Sequence, residues 1–492
     1  MIANRVSAGA VDKLAEAMSP LDPPLYVDLD GTVLSTDLLY ESFVSAVKAS
    51  PWVALQSFAW LLQGRARLKE ELAARASIDV STLPYRAAVI EFLRGERSRG
   101  RHIVLTTASW VTLAEAVARH LGLFDEVLAT SRDGNLKGEA KAARIAERSA
   151  AGCFDYLGDS AADLHVWRHC RQAYVVEAGD RLSRRIPGDI PVTRVPPREV
   201  ERSARSAAVR ALRPHQWAKN LLLFVPLVTA HRLAEAAGFV SACWAFAAFC
   251  LVASGAYILN DLLDLPADRA HPSKRLRPFA SGELGIPEGL VMVAGCLLAA
   301  VGIATMLPPL FRAALATYLA LTVAYSLVLK RKSILDVLSL AGLYTLRIVA
   351  GTFAIAAALS FWLLAFAMFI FFSLALVKRY AELAALEDEA THAPGRGYAG
   401  RDLEVVLAIG TASAMVSALV LALYINGETA KELYQRPEVL WLLCPTLLYW
   451  ISRIWLLAAR GQMHEDPVLF AVRDRASWLV AAAALAVMMA AT

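Results

Sequence analysis

Long apolar segments fill the chain from about residue 216 onward, and they constrain its fold more than any other feature. Nine such segments can be counted, at 216–233, 237–259, 286–309, 311–329, 334–357, 361–379, 403–425, 437–459 and 476–491. Several approach the length of about 20 residues that a helix needs to cross the hydrocarbon core of a bilayer. Hydrophobic residues make up 57% of the 492 residues, and the mean hydropathy is +0.46. We therefore expect residues 211–492 to form an all-α membrane domain of about nine transmembrane helices.

Basic residues are divided unequally between the loops that join these segments. With the N-terminus inside, the inside loops carry Lys274, Arg275, Arg277, Lys330, Arg331, Lys332, Lys378, Arg379, Arg396, Arg401, Arg460, Arg473 and Arg475. The outside loops carry little more than Arg232, Arg312, Lys431 and Arg436. This distribution satisfies the positive-inside rule. The first 20 residues lack the apolar core of a signal peptide, so the N-terminal domain is expected to stay in the cytoplasm.

Overall charge and cysteine content exclude some classes of function. The formal net charge of +5 is small and gives no support for nucleic-acid binding. The six cysteines show no metal-ligand spacing and predict no disulfide framework.

Residues 1–180 have the pattern of a soluble α/β domain, in which four short motifs follow apolar stretches. The motifs are LYVDLDGT at Leu25–Thr32, IVLTTAS at Ile103–Ser109, NLKGEAK at Asn135–Lys141 and YLGDSAAD at Tyr156–Asp163. At strand spacing Asp28 and Asp30 point the same way, and the turn after them can direct backbone N–H groups at an anion. We expect the motifs to meet at the ends of successive strands of a parallel sheet, where doubly wound folds place ligands.

These four motifs, in this order, resemble those of the haloacid dehalogenase (HAD) superfamily of phosphatases. The resemblance implies that Asp28 is the nucleophile that accepts a phosphoryl group and that Asp30 is the general acid and base. It also implies that Asp28, Asp159 and Asp163 hold Mg²⁺. A carboxylate can attack a phosphoryl group only when a metal cation and a lysine neutralise the negative charges.

The same resemblance assigns the phosphate-binding side chains. It implies that Thr107, or alternatively Thr106, binds the phosphate, and that Lys141, or alternatively Lys137, balances its charge. It further implies a helical cap in the insertion at about 38–90.

The most apolar part of that insertion is Pro51–Leu62, which is too short to span a bilayer. Two interpretations remain open for it: the core of the cap, or a patch that leans on the membrane. The stretch that follows the α/β domain, at 181–210, is rich in proline and arginine without an apolar period, which predicts a linker. Its basic residues suit anionic headgroups, and simple solubility explains them equally well.

A second cluster of charges lies at Asn260–Gly282, at the end of an apolar segment. Asp261, Asp264 and Asp268 would share one helix face if the helix continued that far. Pro266 interrupts regular helix, so we expect Asp268 on a turn. The simpler interpretation is a solvated loop whose acids and bases cancel.

This cluster resembles the first Asp-rich motif of the UbiA superfamily of intramembrane prenyltransferases. The resemblance implies that Asp261 and Asp264 are catalytic, that Asn260 binds substrate, and that Asp268 joins the two other aspartates in holding Mg²⁺. Mg²⁺ is typically shared between one or two carboxylates and a substrate diphosphate. The second Asp-rich motif of that superfamily is reduced here to Asp336, which puts ordinary aromatic prenyl transfer in doubt.

Other stretches resemble the branch typified by decaprenyl-phosphate phosphoribosyltransferase, namely RPHQWAKN at Arg213–Asn220, Tyr325–Gly351 and KRYAEL at Lys378–Leu383. In that branch the donor is phosphoribosyl pyrophosphate and the acceptor a polyprenyl phosphate. A donor with a 5-phosphate requires cations beyond Mg²⁺. The cations available on the predicted inside face are Lys219, Lys274, Arg277, Lys330, Lys378 and Arg379. Each of them, taken singly, is better explained as a topology anchor.

Arg347 lies about a dozen residues into an apolar segment, where a charge must be paired. Asp336 is too distant along the same helix, so a substrate phosphate or an acid on another helix is the expected partner. Tyr344 is interpreted as a core or belt aromatic. The loop Gly461–Trp478, which carries acids and bases, is interpreted as structural or gating.

Together these features predict an enzyme of the cell (inner) membrane with both sites on the cytoplasmic side. It would transfer 5-phosphoribosyl to a polyprenyl phosphate with Mg²⁺, after which the HAD-like domain would remove the 5-phosphate. The alternatives are prenyl transfer to an aromatic or glycerol-type acceptor and, from another class, a lipid-phosphate transporter or binding protein. The sequence leaves the isoprenoid length and the oligomeric state open, a homo-oligomer included.

Overall fold

A computed structural model describes residues 23–149, 153–176, 180–195, 204–386, 396–463 and 466–492. The first 20 residues, on which the localisation of the N-terminal domain was predicted, lie outside these ranges. The chain divides into two compact units. Unit 1 comprises Met1–Ala211 and Asp261–Val291, and unit 2 comprises Leu212–Asn260 and Met292–Thr492.

Unit 1 is built on a parallel sheet of six strands in the order β3-β2-β1-β4-β5-β6. The strands are β1 (Leu25–Val27), β2 (Ile103–Trp110), β3 (Glu126–Thr130), β4 (Asp155–Gly158), β5 (Gln172–Val176) and β6 (Val192–Val195). β1 and β4 are buried throughout, as expected for strands covered on both faces. The strand order reverses at β1, and such a switch point is where open α/β sheets bind ligands.

Helices cover the sheet and form the insertion after the first motif. They are α1 (Leu38–Ala49), α2 (Val53–Leu62), α3 (Arg65–Arg75), α4 (Ala87–Ser98), α5 (Val111–Leu121), α6 (Glu139–Arg148), α7 (Leu164–Trp167) and α8 (Asp180–Ser183). The predicted helical cap corresponds to α1–α3, with a small core around Ala46, Val53 and Leu72. Asp37 caps α1 by accepting from the backbone N–H of Leu39.

Helices make up nearly all of the remainder of the chain. They are α9 (Ala204–Leu212), α10 (Val225–Thr229), α11 (Ala236–Leu263), α12 (Leu265–Ala270), α13 (Ile286–Ala304), α14 (Pro309–Leu327), α15 (Leu335–Ala354), α16 (Phe361–Ala384), α17 (Leu403–Asn426), α18 (Glu428–Leu433), α19 (Leu443–Ala459), α20 (Pro467–Arg473) and α21 (Arg475–Ala491). Among the described residues, seven helices are long and apolar enough to cross a membrane, or eight if α20 and α21, bent by 83°, form one broken span.

These seven or eight candidate spans compare with the expected count of about nine. The segment predicted at 216–233 instead begins within a 3₁₀ helix, Pro214–Phe224, that is followed by the short α10. Prolines at the start of both elements favour these breaks. The 3₁₀ helix packs so closely against α15 that a Cβ on Gly351 would lie 2.2 Å from the carbonyl oxygen of Leu223, so only glycine fits there.

Candidate active sites

Three carboxylates converge where β1 and β4 end in unit 1. Ligand oxygens of Asp28, Asp159 and Asp163 all lie within 4.8 Å of one another. Asp28 follows β1 directly and Asp159 follows β4, and the two strands are parallel neighbours. The sequence motifs predicted this meeting, although they did not give its geometry.

Glycine is required in the turn after β1. Gly31 has φ +81°, and a Cβ there would lie 2.3 Å from Oδ2 of Asp159. Any other residue would therefore be strained and would displace a carboxylate of the cluster. Thr32 then donates its hydroxyl to Asp159 Oδ1 at 3.1 Å.

Burial and mutual repulsion make the cluster electrostatically unfavourable by itself. Burial is the main cause that raises the pKa of Asp28 well above its usual value, in spite of the Lys141 ammonium beside it. Burial and then the charge of Asp163 raise the pKa of Asp159 to about 7. A bound cation would relieve both effects. The ligands are all carboxylate oxygens, which Mg²⁺ prefers, so the residues present fit the predicted ion.

Lys141 is the lysine of this site. Its Nζ donates to Asp28 Oδ1 at 2.8 Å and to the Tyr156 hydroxyl at 3.0 Å, and the side chain is buried. Lys137, the alternative, is exposed. The Leu29 N–H also donates to Asp28 Oδ1. Among the described residues, both hydrogen bonds to this carboxylate therefore go to Oδ1, and none goes to Oδ2.

Asp30 is held by three donors, one at the start of α1 and two on β2. Its Oδ1 accepts from the Leu38 N–H at 2.8 Å, and its Oδ2 accepts from the hydroxyls of Thr107 at 3.1 Å and Ser109 at 2.6 Å. The Thr106 hydroxyl, although buried, has no hydrogen-bond partner. The geometry therefore favours Thr107 over Thr106 as the hydroxyl of the site.

Two further residues of this site were missed from the sequence. Tyr156 donates to Asp163 Oδ1 at 2.7 Å and so links that carboxylate to Lys141. Lys69, on cap helix α3, reaches the carbonyl oxygen of Ala108 and Asn135 Oδ1 at 2.5 and 2.6 Å. Burial, above all, lowers its pKa to about 8. A lysine in a helix of alternating charges gives no sequence signal of this contact.

The Asp-rich segment of unit 1 leaves regular helix at Asp264, two residues before Pro266. α11 ends at Leu263, Asp264 is non-helical, and α12 starts at Leu265 with Pro266 in its first turn. Asp268 therefore lies in a short helix, and its prediction on a turn is wrong. Proline is tolerated in a first turn because its missing N–H would be unpaired there anyway.

A guanidinium lies where two of these carboxylates meet. Arg277 Nη1 is 3.2 Å from Asp261 Oδ1 and 2.6 Å from Asp268 Oδ2, and both aspartates are buried. A positive group between two buried acids is the arrangement that a metal cation would also satisfy. Asp264 instead faces Lys48 of α1, with Nζ at 3.1 Å from Oδ1.

In unit 2, Asp466 gathers polar groups from three elements. It accepts from Lys219 Nζ at 2.9 Å and from the Tyr344 hydroxyl at 3.0 and 3.2 Å, and Lys378 Nζ is 3.6 Å away. Burial alone would raise the pKa of Asp466, but the lysine charges and the hydrogen bonds outweigh burial and hold it below its usual value. The sequence suggested two of these cations, but it gave no role to Asp466 and treated Tyr344 as a core or belt aromatic.

Arg347 is buried and paired, but not with an acid. Its Nε donates to Asn220 Oδ1 at 2.9 Å and its Nη2 to the Tyr318 hydroxyl at 2.8 Å, while Nη1 donates to the carbonyl oxygen of Leu343 at 2.6 Å. Its guanidinium also lies over the rings of Tyr318 and Tyr344. In the described part of the chain no carboxylate lies within ion-pair distance, so the described residues do not supply the expected acid, and a substrate phosphate stays a predicted partner.

Asp336 and Arg379 form a fully buried pair. Arg379 Nε is 2.9 Å from Asp336 Oδ2, although the angle is not that of a hydrogen bond. Oδ1 accepts from the Tyr398 hydroxyl at 2.9 Å. Both predicted binding residues are thus engaged with protein groups.

The remaining predicted binding residues are less enclosed. Lys274 is exposed on a 3₁₀ turn, Lys330 is half-buried on another, and Asn260 is half-buried near the end of α11.

The two units thus define a membrane-embedded helical protein that carries a phosphatase-like α/β domain. The model of the UbiA prenyltransferase family matches residues 223–480, and that of haloacid dehalogenase-like hydrolases matches residues 25–168. The chain belongs to the UbiA prenyltransferase family, with an N-terminal HAD-like domain. It is an integral membrane protein and a UbiA-type transferase, which confirms the predicted fold class and the two resemblances.

Similar proteins match different parts of the chain. An uncharacterised protein, y4nM, of Sinorhizobium fredii is 37% identical over 93% of this chain and 89% of its own length. The decaprenyl-phosphate phosphoribosyltransferase of Mycolicibacterium smegmatis is 39% identical to this chain over 190 residues. The matched region covers 37% of this chain and 58% of that relative. A UbiA homologue from Archaeoglobus fulgidus, solved with GPP and Mg²⁺, matches with a TM-score of 0.46 and 17% identity over 57% of this chain and 99% of that one.

Proposed function

We propose that the UbiA domain transfers a 5-phosphoribosyl group from phosphoribosyl pyrophosphate to a polyprenyl phosphate, and that the HAD-like domain then removes the 5-phosphate. The surroundings of Asp336 are the observation that favours a ribosyl donor. It is the only acid left of the second Asp-rich motif, and it is buried against Arg379 and Tyr398. A prenyl diphosphate donor that needs a second metal-binding acid is therefore disfavoured. The similarity to a decaprenyl-phosphate phosphoribosyltransferase supports the same choice.

In the transfer step, an acceptor phosphate oxygen forms a bond to the anomeric carbon of the ribose. The bond from that carbon to the diphosphate breaks, and the diphosphate leaves with the electron pair. Asp261, Asp264 and Asp268 would hold Mg²⁺, which neutralises charge on the leaving diphosphate. The meeting of Asp261 and Asp268 at Arg277 supports this assignment, because the two acids already face one positive group.

The chain's cations would bind the phosphate groups of donor and acceptor. Within unit 2, Lys219 and Lys378 are held side by side by Asp466, and within unit 1 Lys274 is exposed beside the Asp-rich segment. No protein nucleophile is needed, so catalysis would come from orientation and charge neutralisation.

In the hydrolytic step, Asp28 would attack the phosphorus of the 5-phosphate while Asp30 gives a proton to the departing ribose 5-oxygen. Water then attacks the aspartyl phosphate, and Asp30 takes its proton back. Lys141, 2.8 Å from Asp28, offsets the charge of nucleophile and phosphate. Asp28, Asp159 and Asp163 would hold Mg²⁺, which supplies further charge neutralisation.

The sidedness of the two sites is part of this proposal. The distribution of basic loops supports a cytoplasmic position for the Asp-rich segment and for the HAD-like domain. Tethering raises the effective concentration of the phosphatase for a lipid product that stays in the membrane.

A donor competition assay tests the transferase. Purified full-length protein is incubated with polyprenyl phosphate, Mg²⁺ and either labelled phosphoribosyl pyrophosphate or a labelled prenyl diphosphate. We expect label in the lipid product only from the ribosyl donor, and none with Asp261→Asn. Transfer from the prenyl donor alone would replace the proposal with prenyl transfer, and Mg²⁺-independent lipid binding without turnover would indicate a binding protein.

A further inference from the structure

Helix α2 of the HAD-like domain carries an exposed apolar surface without a partner among the described residues of unit 1. We call it the cap patch; it consists of Trp52, which precedes the helix, and of Leu55, Phe58, Leu61 and Leu62 along it. These side chains are 71%, 63%, 69%, 48% and 91% exposed. A soluble domain rarely keeps several large apolar side chains together in water, and such a group usually marks a surface for a protein or a membrane.

The cap does not need these side chains for its own core. Val53 and Trp60, seven residues apart, mark the inner face of α2, and α2 contains no charged residue. The expected cap core is therefore confirmed for this face alone, and the opposite face of α2 is exposed.

Basic residues flank the cap patch in the sequence. Between Lys48 and Arg75 the chain has five basic residues and two acidic ones. Arg65 and Arg67 lie exposed in the first turn of α3, directly after α2, where Arg67 pairs with Glu70 and Glu71. Arg75 lies over the Trp60 ring at 4.6 Å. The apolar cap patch suits the acyl boundary of an anionic membrane surface, and the neighbouring basic residues suit its charged headgroups.

We propose that the cap patch inserts into the boundary between headgroups and acyl chains of an anionic bilayer. The same chain has at least seven helices suited to crossing a membrane, so a bilayer is always within reach of the tethered domain. A docked cap would receive a lipid-linked phosphate without the lipid leaving the membrane. This consequence rests on the proposed phosphatase function, whereas the membrane contact itself does not.

Fluorescence quenching in a reconstituted bilayer tests the contact. Full-length protein, with the exposed Cys153 and Cys243 replaced by serine, is placed in nanodiscs of phosphatidylcholine and phosphatidylglycerol. An environment-sensitive probe is attached at Leu62→Cys or, as the matched control on the exposed polar surface of α5, at Arg119→Cys. We expect blue-shifted emission that brominated acyl chains quench at Leu62→Cys, and neither effect at Arg119→Cys.

Two results would overturn the contact. Equal emission at both positions would show that the patch stays in water. A blue shift at Leu62→Cys without quenching, lost on dilution to one chain per disc, would show that a second copy covers it.

An activity split tests the consequence separately. The double variant Phe58→Ser, Leu62→Ser should lose most hydrolysis of a lipid-linked phosphomonoester and keep that of p-nitrophenyl phosphate, because neither residue belongs to the carboxylate cluster. If the double variant hydrolyses both substrates at the rates of the unaltered protein, the cap patch does not deliver the lipid substrate. If the unaltered protein hydrolyses neither substrate, the proposed phosphatase function fails, and the quenching result still decides the membrane contact.

Discussion

Arg269 and Glu41 form a buried two-point ion pair in unit 1. Nη2 of Arg269 donates to Oε1 of Glu41 at 2.6 Å and Nη1 to Oε2 at 3.2 Å, with both side chains more than nine-tenths buried. Glu41 also accepts from the Thr36 hydroxyl at 2.8 Å, in the loop that follows Asp30. One carboxylate thus holds both the Asp-rich segment and the first phosphatase loop, which sequence motifs alone did not suggest.

Glu41→Gln should destabilise unit 1 by about 3–5 kcal/mol, because it leaves the charge of Arg269 buried without a carboxylate. Thermal unfolding of the detergent-solubilised protein measures this loss. Glu91→Gln, on the exposed surface of α4, is the matched control and should change little. We also expect slower transfer, since Asp268 lies next to Arg269. An unchanged melting temperature for Glu41→Gln would show that the pair contributes nothing to the fold.

Asp28→Asn should lower hydrolysis of a phosphomonoester by about a thousandfold or more, as expected when a nucleophile is removed. The lipid product should then retain its 5-phosphate while transfer continues at the same rate. Mass spectrometry of the extracted lipid distinguishes the two products. The control Asp133→Asn, exposed in the same domain, should release phosphate normally. If both variants yield the same dephosphorylated lipid, Asp28 is not the nucleophile.

Without Mg²⁺, the free energy of unfolding should fall as the pH rises from about 4 to about 7, in part because the pKa of Asp159 is raised in the folded state. Its folded-state pKa is about 7 against a usual value of 3.8, so in this range the folded state holds a proton that the unfolded state has released. At pH 8 without metal, Asp159→Asn should therefore melt about 2–4 °C or more above the parent, with the difference shrinking toward pH 4.

Mg²⁺ should reverse the difference in melting temperature between Asp159→Asn and the parent, because it would stabilise the parent more than the variant. Differential scanning fluorimetry with and without chelator measures both effects, with Asp133→Asn as the control for the loss of an exposed acid. If Mg²⁺ does not change the melting temperature of the parent at any pH, the result argues against the metal site.

Asp466→Asn should destabilise unit 2, because Lys219 and Lys378 would be left together without their shared acid. The expected loss is about 3–5 kcal/mol, and removing Lys219 as well, in Asp466→Asn, Lys219→Met, should recover part of it. Arg453 and Asp474 form a separate pair at 2.7 Å, so Asp474→Asn serves as the control. Asp466→Asn should also raise the KM for the donor, because Lys219 and Lys378 would no longer be held together. An equal rise in KM for Asp474→Asn would show that the effect is not specific to the proposed phosphate-binding cations.

The motif spacing determined the phosphatase-like site almost completely. Asp28, Asp30, Asp159 and Asp163 follow apolar strands, and parallel strands bring their carboxyl ends to one edge regardless of helix packing. The apolar segments likewise determined the membrane domain, although the segment predicted at 216–233 is not a single long helix, because it begins within a 3₁₀ helix rich in apolar residues.

Tertiary packing alone decided the partners within unit 2. Lys219 meets Asp466 across 247 residues, and Arg347 meets an amide and a phenol rather than an acid. Which side of a helix faces which neighbour depends on how the helices rotate and cross, and an apolar composition that is nearly uniform around each helix does not encode it. Side chains that break this uniformity, such as Arg347 and Asp336, could be recognised in the sequence as buried charges, but their partners could not.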